Sequence, residues 1–256
     1  MKITKKQWTT YQKRLNAINK KAEQEMLDWI TARGGYQAIE FDDAIAKAYE
    51  LATKYGEASA SLSALMYDAT AELSSASVPA ATVAETASLG DVSKAIYGAS
   101  TFSQNDEYIA GVVGRFVKQA GADTTLQNAR RDGAQFAWIA QGETCAYCEL
   151  LAASGWQNAS SRVIKGDHAE HIHNNCDCIF MVKFDDESSV EGYKPNTSLY
   201  YETEGATIEE KANTIRRQNY AKNKDEINAQ KRITYAKRTE ELNSSEAEEA
   251  DAKNGV

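Results

Sequence analysis

The sequence predicts a mostly α-helical α+β protein, and three observations support this fold class. Only 2 of the 256 residues are proline, whereas average usage would give about 13, so long uninterrupted helices are expected. Two long stretches in the first third of the chain carry apolar residues at helical spacing. Two short runs further on are rich in aromatic and β-branched residues, which is typical of strands.

Residues 1–75 predict an N-terminal helical hairpin. The apolar residues that share one face of its first helix recur three or four residues apart, and they are Trp8, Tyr11, Leu15, Ile18, Ala22, Met26 and Trp29. Gly34 and Gly35 mark the end of this helix, because consecutive glycines favour a chain reversal. A second pattern predicts a longer helix from about residue 38 to residue 73.

The next part of the chain predicts a change to shorter elements. Residues 76–104 are expected to form a linker or extended arm, since residues 74–90 are small, polar and nearly uncharged. Two short helices are expected after it. One starts near Asn105 and stops at Gly121, and the other runs from about Thr124 to Asp132.

Two predicted strands bracket an unusual cluster of residues. The strands are Ala134–Ala140 and Cys178–Phe184, and all the Cys and His residues of the chain fall between Cys145 and Cys178. The basic N-terminus is not followed by the apolar core of a secretory signal, so we expect synthesis in a reducing cytoplasm. Disulfides rarely persist there, and the cysteines are better interpreted as metal ligands.

The cysteine spacing predicts a structural zinc site. Cys145 and Cys148 form a C-x2-C step, which lets two thiolates converge on one ion through a tight turn. Zn²⁺ takes four ligands in a closed site, so two of His173, Cys176 and Cys178 would complete the set. The spacing alone leaves open which two they are.

Other interpretations of the cluster remain open at this point. The cysteines could form a disulfide or be buried thiols without a metal. A catalytic zinc with an open coordination position would instead predict a metal-dependent nuclease acting on DNA. His168 and His171 could support the site, bind a second ion or be plain loop residues. We assign no catalytic or cofactor-binding residues, because the sequence has no P-loop, dinucleotide fingerprint or G-x-S-x-G element.

The C-terminal segment, residues 207–256, predicts a basic helix followed by a disordered acidic tail. Thr207 and Glu210 form a capping-box pattern at its start, and the chain beyond Glu240 lacks apolar residues. A near-repeat at residues 216–224 and 231–239 places basic side chains on one broad stripe, and they are Arg216, Arg217, Lys222, Lys231, Arg232 and Lys237. Such a stripe is either a solvated face or a surface that contacts DNA phosphates without reading sequence.

The net charge of −8 conceals a strong segregation of charge. The chain carries +5 over residues 1–34, −15 over residues 35–210, +7 over residues 211–238 and −5 over residues 239–256. An acidic protein with two basic segments is expected to make local contacts with a polyanion or a partner protein. Its longest apolar stretches are too short to span a membrane.

The segment from about residue 105 to residue 184 resembles the Mu F-like head morphogenesis proteins of tailed bacteriophages, also called minor capsid proteins. The matching pattern is the helix and turn at residues 128–133, a strand with Trp138, a C-x2-C step, a glycine-bearing loop and an H-x2-C-x-C motif. In this chain those motif residues are Cys145, Cys148, Gly155, His173, Cys176 and Cys178. The chain departs from the family at residues 121–125, where GADTT stands in place of an Arg-Thr-Glu stretch.

This resemblance implies a structural virion protein that acts in head assembly at the portal or the inner capsid face. Its partners would be the portal protein or the major capsid protein, and possible contact with packaged DNA would run through the basic helix. The predicted fold is therefore a long helical hairpin, a zinc-pinned β-containing core over residues 105–206, and the basic C-terminal helix. No enzymatic activity is expected on this interpretation, and the nuclease is the alternative.

Overall fold

The structure, a computed structural model, describes residues 1–103, 105–141, 145–160, 178–187 and 189–254, without the side chains of residues 226, 227, 230 and 235–254. The chain divides into two compact units, Met1–Tyr201 and Glu202–Val256. The fold class is confirmed: the protein is mostly α-helical, with a small antiparallel sheet. The predicted division of the chain at residues 75, 104 and 206 stays a prediction.

Three long helices form the core of the first unit. They are α1 (Lys5–Thr31), α2 (Phe41–Leu73) and α4 (Asp106–Asp132), and α4 packs along both of the others. The predicted helical hairpin is present, with Gly34 and Gly35 at positive φ in its turn. Residues 36–38 form a 3-10 turn, so α2 begins three residues later than expected.

The structure corrects the predicted helix stop at Gly121, since α4 runs unbroken through this position to Asp132. A Cβ atom at residue 121 would lie 2.6 Å from Ser59 Oγ and 2.9 Å from Ser63 Oγ on α2. The glycine therefore allows two helices to approach closely, and it does not end a helix. Gly133 does end α4, in the left-handed conformation that a helix C-terminus favours.

Helix α3 (Leu89–Phe102) occupies part of the segment expected to be extended. The Ser88 hydroxyl caps it by accepting a hydrogen bond from Asp91 N at 3.1 Å. Before α3, the chain lies against α4: Asn128 exchanges two hydrogen bonds with the backbone of Thr82, of 2.9 and 2.8 Å.

Both predicted strands are confirmed, and they pair with each other. Strands β1 (Gln135–Ile139) and β3 (Ile179–Lys183) are antiparallel, with β2 (Gln157–Asn158) on the other side of β1. Helix α5 (Ala146–Ala153) connects β1 to β2. Outside the sheet, Ile3 pairs with Val190 in an isolated parallel bridge.

Two further helices follow, α6 (Ser198–Glu202) and α7 (Ile208–Asn254). The predicted capping box of α7 is present, because Glu210 N donates to Thr207 Oγ1 and Thr207 N donates to Glu210 Oε2, both at 3.1 Å. The helix continues to Asn254 where a disordered tail was expected beyond Glu240. Residues 241–254 contain no glycine or proline and are rich in alanine and glutamate, which favour helix. Within the described part of the chain, no helix combines the length and apolar character needed to cross a bilayer.

Candidate metal centre

The C-x2-C step lies at the start of helix α5. Cys145 is the N-cap residue, with extended backbone dihedrals, and Cys148 is in the first helical turn. Cys145 is exposed and Cys148 is 1% exposed. Residues at the N-cap and three positions later lie next to each other at a helix start, and the backbone N–H groups there favour anionic groups. The turn therefore places the two sulfur-bearing residues next to each other at one end of α5.

The third described cysteine precedes β3 at the end of the sheet where β1 finishes. Ile139, the last residue of β1, pairs with Ile179, the first residue of β3. Cys178 comes directly before Ile179 and is 4% exposed, while Cys145 follows β1 after a short connection. Cys178 and the C-x2-C turn are consequently attached to the same end of the sheet.

The other candidate ligands, His173 and Cys176, lie outside the described residues, as do His168 and His171. Within the described residues, no group of three or more His, Cys, Asp and Glu side chains could hold a metal ion. The choice of ligands thus stays a prediction, with Cys145, Cys148 and Cys178 placed and the remaining candidates not described.

Aromatic side chains of strands β1 and β3 pack against one another. Trp138 on β1 and Phe180 on β3 have ring centroids 4.4 Å apart, and Phe136 lies 5.8 Å from Phe180. A cleft of about 290 Å³ separates α5 from the segment that carries Tyr193. Burial raises the pKa of Tyr193 to about 12, so its phenol stays protonated at neutral pH. It is thus a neutral group that packs against Trp156, with ring centroids 5.9 Å apart.

Sequence reasoning missed a polar cavity between the bundle and β3. The cavity has a volume of about 20 Å³, enough for one water molecule. Its lining includes Cys178 and polar residues from all three long helices, namely Tyr11, Asn16, Asn19, Ser59, Ser63, Lys118 and Thr125.

The side chains of Tyr11 and Asn19 show that this cavity is both polar and buried. Tyr11 Oη and Ser63 Oγ are 3.3 Å apart, and burial raises the pKa of Tyr11 to about 12. Asn19 is 7% exposed, and its Oδ1 has no hydrogen-bond partner among the described residues. We expect a bound water to satisfy this oxygen. The signal in the sequence is Asn19 itself, a polar residue within the apolar stripe of α1.

The basic side chains of α7 form a second candidate site. Arg216, Arg217, Lys222, Lys231 and Arg232 are exposed, and the side chain of Lys237 lies outside the described residues. Tyr220, between the two basic groups, is 44% exposed. The predicted stripe is therefore open to solvent over the part that the structure describes.

These features define the class of protein as a helical bundle that carries a small sheet with a cysteine turn at one end. The chain belongs to the VG15 protein family, a family of phage (viral gene) proteins, whose model matches residues 2–203. No curated protein and no solved structure matches the chain. The match ends before the basic helix α7 begins at Ile208.

Proposed function

We propose that the protein is a minor capsid, or head morphogenesis, protein that acts in phage head assembly at the portal or the inner capsid face. The observation that carries the proposal is membership of a phage protein family over residues 2–203. The resemblance of residues 105–184 to Mu F-like head proteins supports the finer assignment. On this proposal the protein is a structural part of the virion, and its partners are the portal protein or the major capsid protein.

A structural zinc ion is part of the proposal. Cys145 and Cys148 at the start of α5 offer two of the sulfur donors that Zn²⁺ prefers. Two of His173, Cys176 and Cys178 would complete the set. Strands of five residues, paired over so short a length, gain stability when their connecting segment is fixed.

The basic helix is proposed to contact packaged DNA. Its exposed cations, for example Arg216, Arg217 and Lys222, are suited to neutralise phosphates without reading base sequence. Removing residues 211–256 should therefore weaken DNA retention in a salt-dependent way. DNA retention that the deletion leaves unchanged, or that shows no salt dependence in the full chain, would favour an ordinary solvated helix.

The zinc experiment separates the structural proposal from the nuclease alternative. We expect purified protein to hold close to one zinc per chain, Cys145→Ser to reduce that content, and chelation to lower the melting temperature. A matched control is Ser154→Ala, which changes a side chain at the other end of α5. Retained zinc and an unchanged melting curve in Cys145→Ser would contradict the ligand assignment.

Plasmid cleavage is measured in parallel on the same preparations. The structural proposal expects no metal-dependent cleavage before or after chelation. If the protein cleaves DNA, and His171→Ala with His173→Ala abolishes cleavage while leaving the melting temperature intact, the nuclease alternative is correct. Mass spectrometry of purified phage particles then tests whether the protein is present in the virion.

A further inference from the structure

A groove between α1 and α2 is the most informative surface that the metal centre and the basic helix do not use. Its volume is about 510 Å³, and Ile3, which precedes α1, is one of its lining residues. The α2 wall consists of Leu62, Leu65, Met66 and Ala69. The α1 wall carries Lys6, Gln7, Thr10 and Arg14.

The α2 wall has the spacing of a helix contact face. Its apolar residues are three, four and seven positions from Leu62, which places them on one stripe of the helix. Leu62, Met66 and Ala69 pack partly against the cluster of Ile3, Trp8 and Leu15. Leu65, in contrast, is 67% exposed. This stripe is therefore only half covered, and a third helix laid in the groove would cover it.

The α1 wall adds positive charge to this apolar floor. Lys6 and Arg14 are exposed and form no ion pair with any residue of the described chain. They lie eight positions apart, or about 12 Å along the helix axis. No acidic residue is among the described residues that line the groove.

Some lysines elsewhere in the unit are paired with carboxylates, in contrast to the two cations that line the groove. Lys2 lies 2.7 Å from Glu187, Lys47 lies 3.0 Å from Glu50, and Lys54 lies 3.2 Å from Glu25. The polar groups of the groove are also satisfied within α1: Thr10 Oγ1 donates to Lys6 O at 2.9 Å, and Gln7 belongs to the capping box with Thr4. The two cations are thus the groups left to pair with a ligand.

We propose that this groove binds an acidic amphipathic helix of a partner protein. The apolar face of that helix would cover Leu65 and its stripe, and carboxylates along its edge would pair with Lys6 and Arg14. A nucleic acid would account for the two cations but would leave Leu65 exposed to water. A purely apolar partner would bury the cations without counter-charges, which is costly. An acidic amphipathic helix would cover the apolar α2 wall and also pair with the cations of the α1 wall.

The test uses two synthetic peptides of about 15 residues, a length that can hold a helix. Both have leucines at the same i, i+3, i+4 and i+7 positions, and the flanking residues are glutamate in one and lysine in the other. We expect full-length protein to bind the glutamate peptide at least about tenfold more tightly than the lysine peptide. Leu65→Glu should weaken this binding by at least about tenfold.

The matched control is Leu89→Glu, which changes an exposed leucine of α3 away from the groove. It should leave the affinity unchanged. Double reversal, Lys6→Glu with Arg14→Glu, should invert the preference so that the lysine peptide binds more tightly. Circular dichroism melting curves confirm that each variant is folded.

Three outcomes would overturn the proposal. The first is equal affinity for the two peptides in the unmodified protein. The second is displacement of the glutamate peptide by duplex DNA, with DNA affinity that depends on Lys6 and Arg14 but not on Leu65. The third is self-association, seen by sedimentation, that Leu65→Glu abolishes, because the occupant would then be a second copy of the chain.

Discussion

The helical bundle and the small sheet bury their apolar surface in different ways. In the bundle, α2 and α4 approach closely over small residues such as Gly121, Ser59 and Ser63. In the sheet, burial is concentrated in a few large rings, chiefly Trp138 and Phe180. The bundle therefore distributes its stability over many modest contacts, whereas the sheet depends on a few residues. Single substitutions should therefore act differently in the two regions.

The largest effect is expected in the sheet, for Trp138→Ala. Trp138 is 2% exposed and contacts Phe180, so truncation leaves a cavity and should cost about 3–5 kcal/mol of the free energy of unfolding. Urea denaturation followed by far-ultraviolet circular dichroism measures this change. Tyr201→Ala, at a site that is 75% exposed, is the control and should stay within about 0.5 kcal/mol of the unmodified protein. If Trp138→Ala lowered the free energy of unfolding by less than about 1 kcal/mol, the stability of the sheet would not depend on this residue.

In the bundle, the informative change adds a single methyl group. Gly121→Ala places a Cβ atom 2.6 Å from Ser59 Oγ and 3.4 Å from the Ser59 carbonyl oxygen, and it should cost about 1–3 kcal/mol through overpacking. Gly98→Ala on α3 is the matched control, since nothing lies within 4 Å of the added atom. It should stabilise the protein by about 0.5–1 kcal/mol, because alanine is the better helix former. Equal changes in the free energy of unfolding for Gly121→Ala and Gly98→Ala would show that α2 and α4 are not closely packed at residue 121.

The smallest effect is expected where the two regions meet, at the end of α4. The Asp132 carboxylate accepts hydrogen bonds from Arg131 at 2.7 Å and from the Tyr67 hydroxyl at 2.8 Å. The Arg131 hydrogen bond, assisted by Tyr67, holds the pKa of Asp132 below its usual range. At neutral pH, Asp132→Asn should cost about 1–2 kcal/mol, because a charge-assisted hydrogen bond is lost.

The stability lost in Asp132→Asn should be smaller at low pH than at neutral pH. The unfolded chain protonates Asp132 first as the pH falls through about 4, so the carboxylate's contribution is full above that pH and is lost below it. The difference in stability between the unmodified protein and Asp132→Asn should consequently narrow toward pH 3. Urea denaturation at several pH values measures the difference, with exposed Glu72→Gln as the control. A difference that is constant with pH would exclude this role for the carboxylate.

The sequence predicts most of the fold because its strongest patterns are local. The stripe from Trp8 to Met26, the two aromatic runs and the capping box at Thr207 each specify an element by periodicity or spacing. The role of Gly121, in contrast, does not follow from the local sequence. A glycine in a helical pattern is either a stop or a close contact, and only the positions of Ser59 and Ser63 on another helix decide which.

The site is predictable to a smaller extent than the fold. The C-x2-C spacing predicts a turn that brings two sulfur atoms together, and the structure places Cys145 at the N-cap position of α5. The polar cavity at Asn19 and the α1/α2 groove depend on which faces of separate helices come together. Periodicity identifies Asn19 as a polar residue on α1 and the apolar stripe of α2 that carries Leu65. It does not show which residues of other helices face them. Tertiary packing supplies that information.

The bridge between Ile3 and Val190 has a consequence for synthesis of the protein. Ile3 N donates to Ser189 O at 2.8 Å, and Glu191 N donates to Ile3 O at 2.9 Å. Because these partners are about 190 residues apart, the backbone groups of Ile3 are synthesised about 10–40 s before Ser189 and Glu191 at bacterial elongation rates. During that interval α1 and α2 can already pair, while the backbone around Ile3 remains accessible to chaperones and proteases.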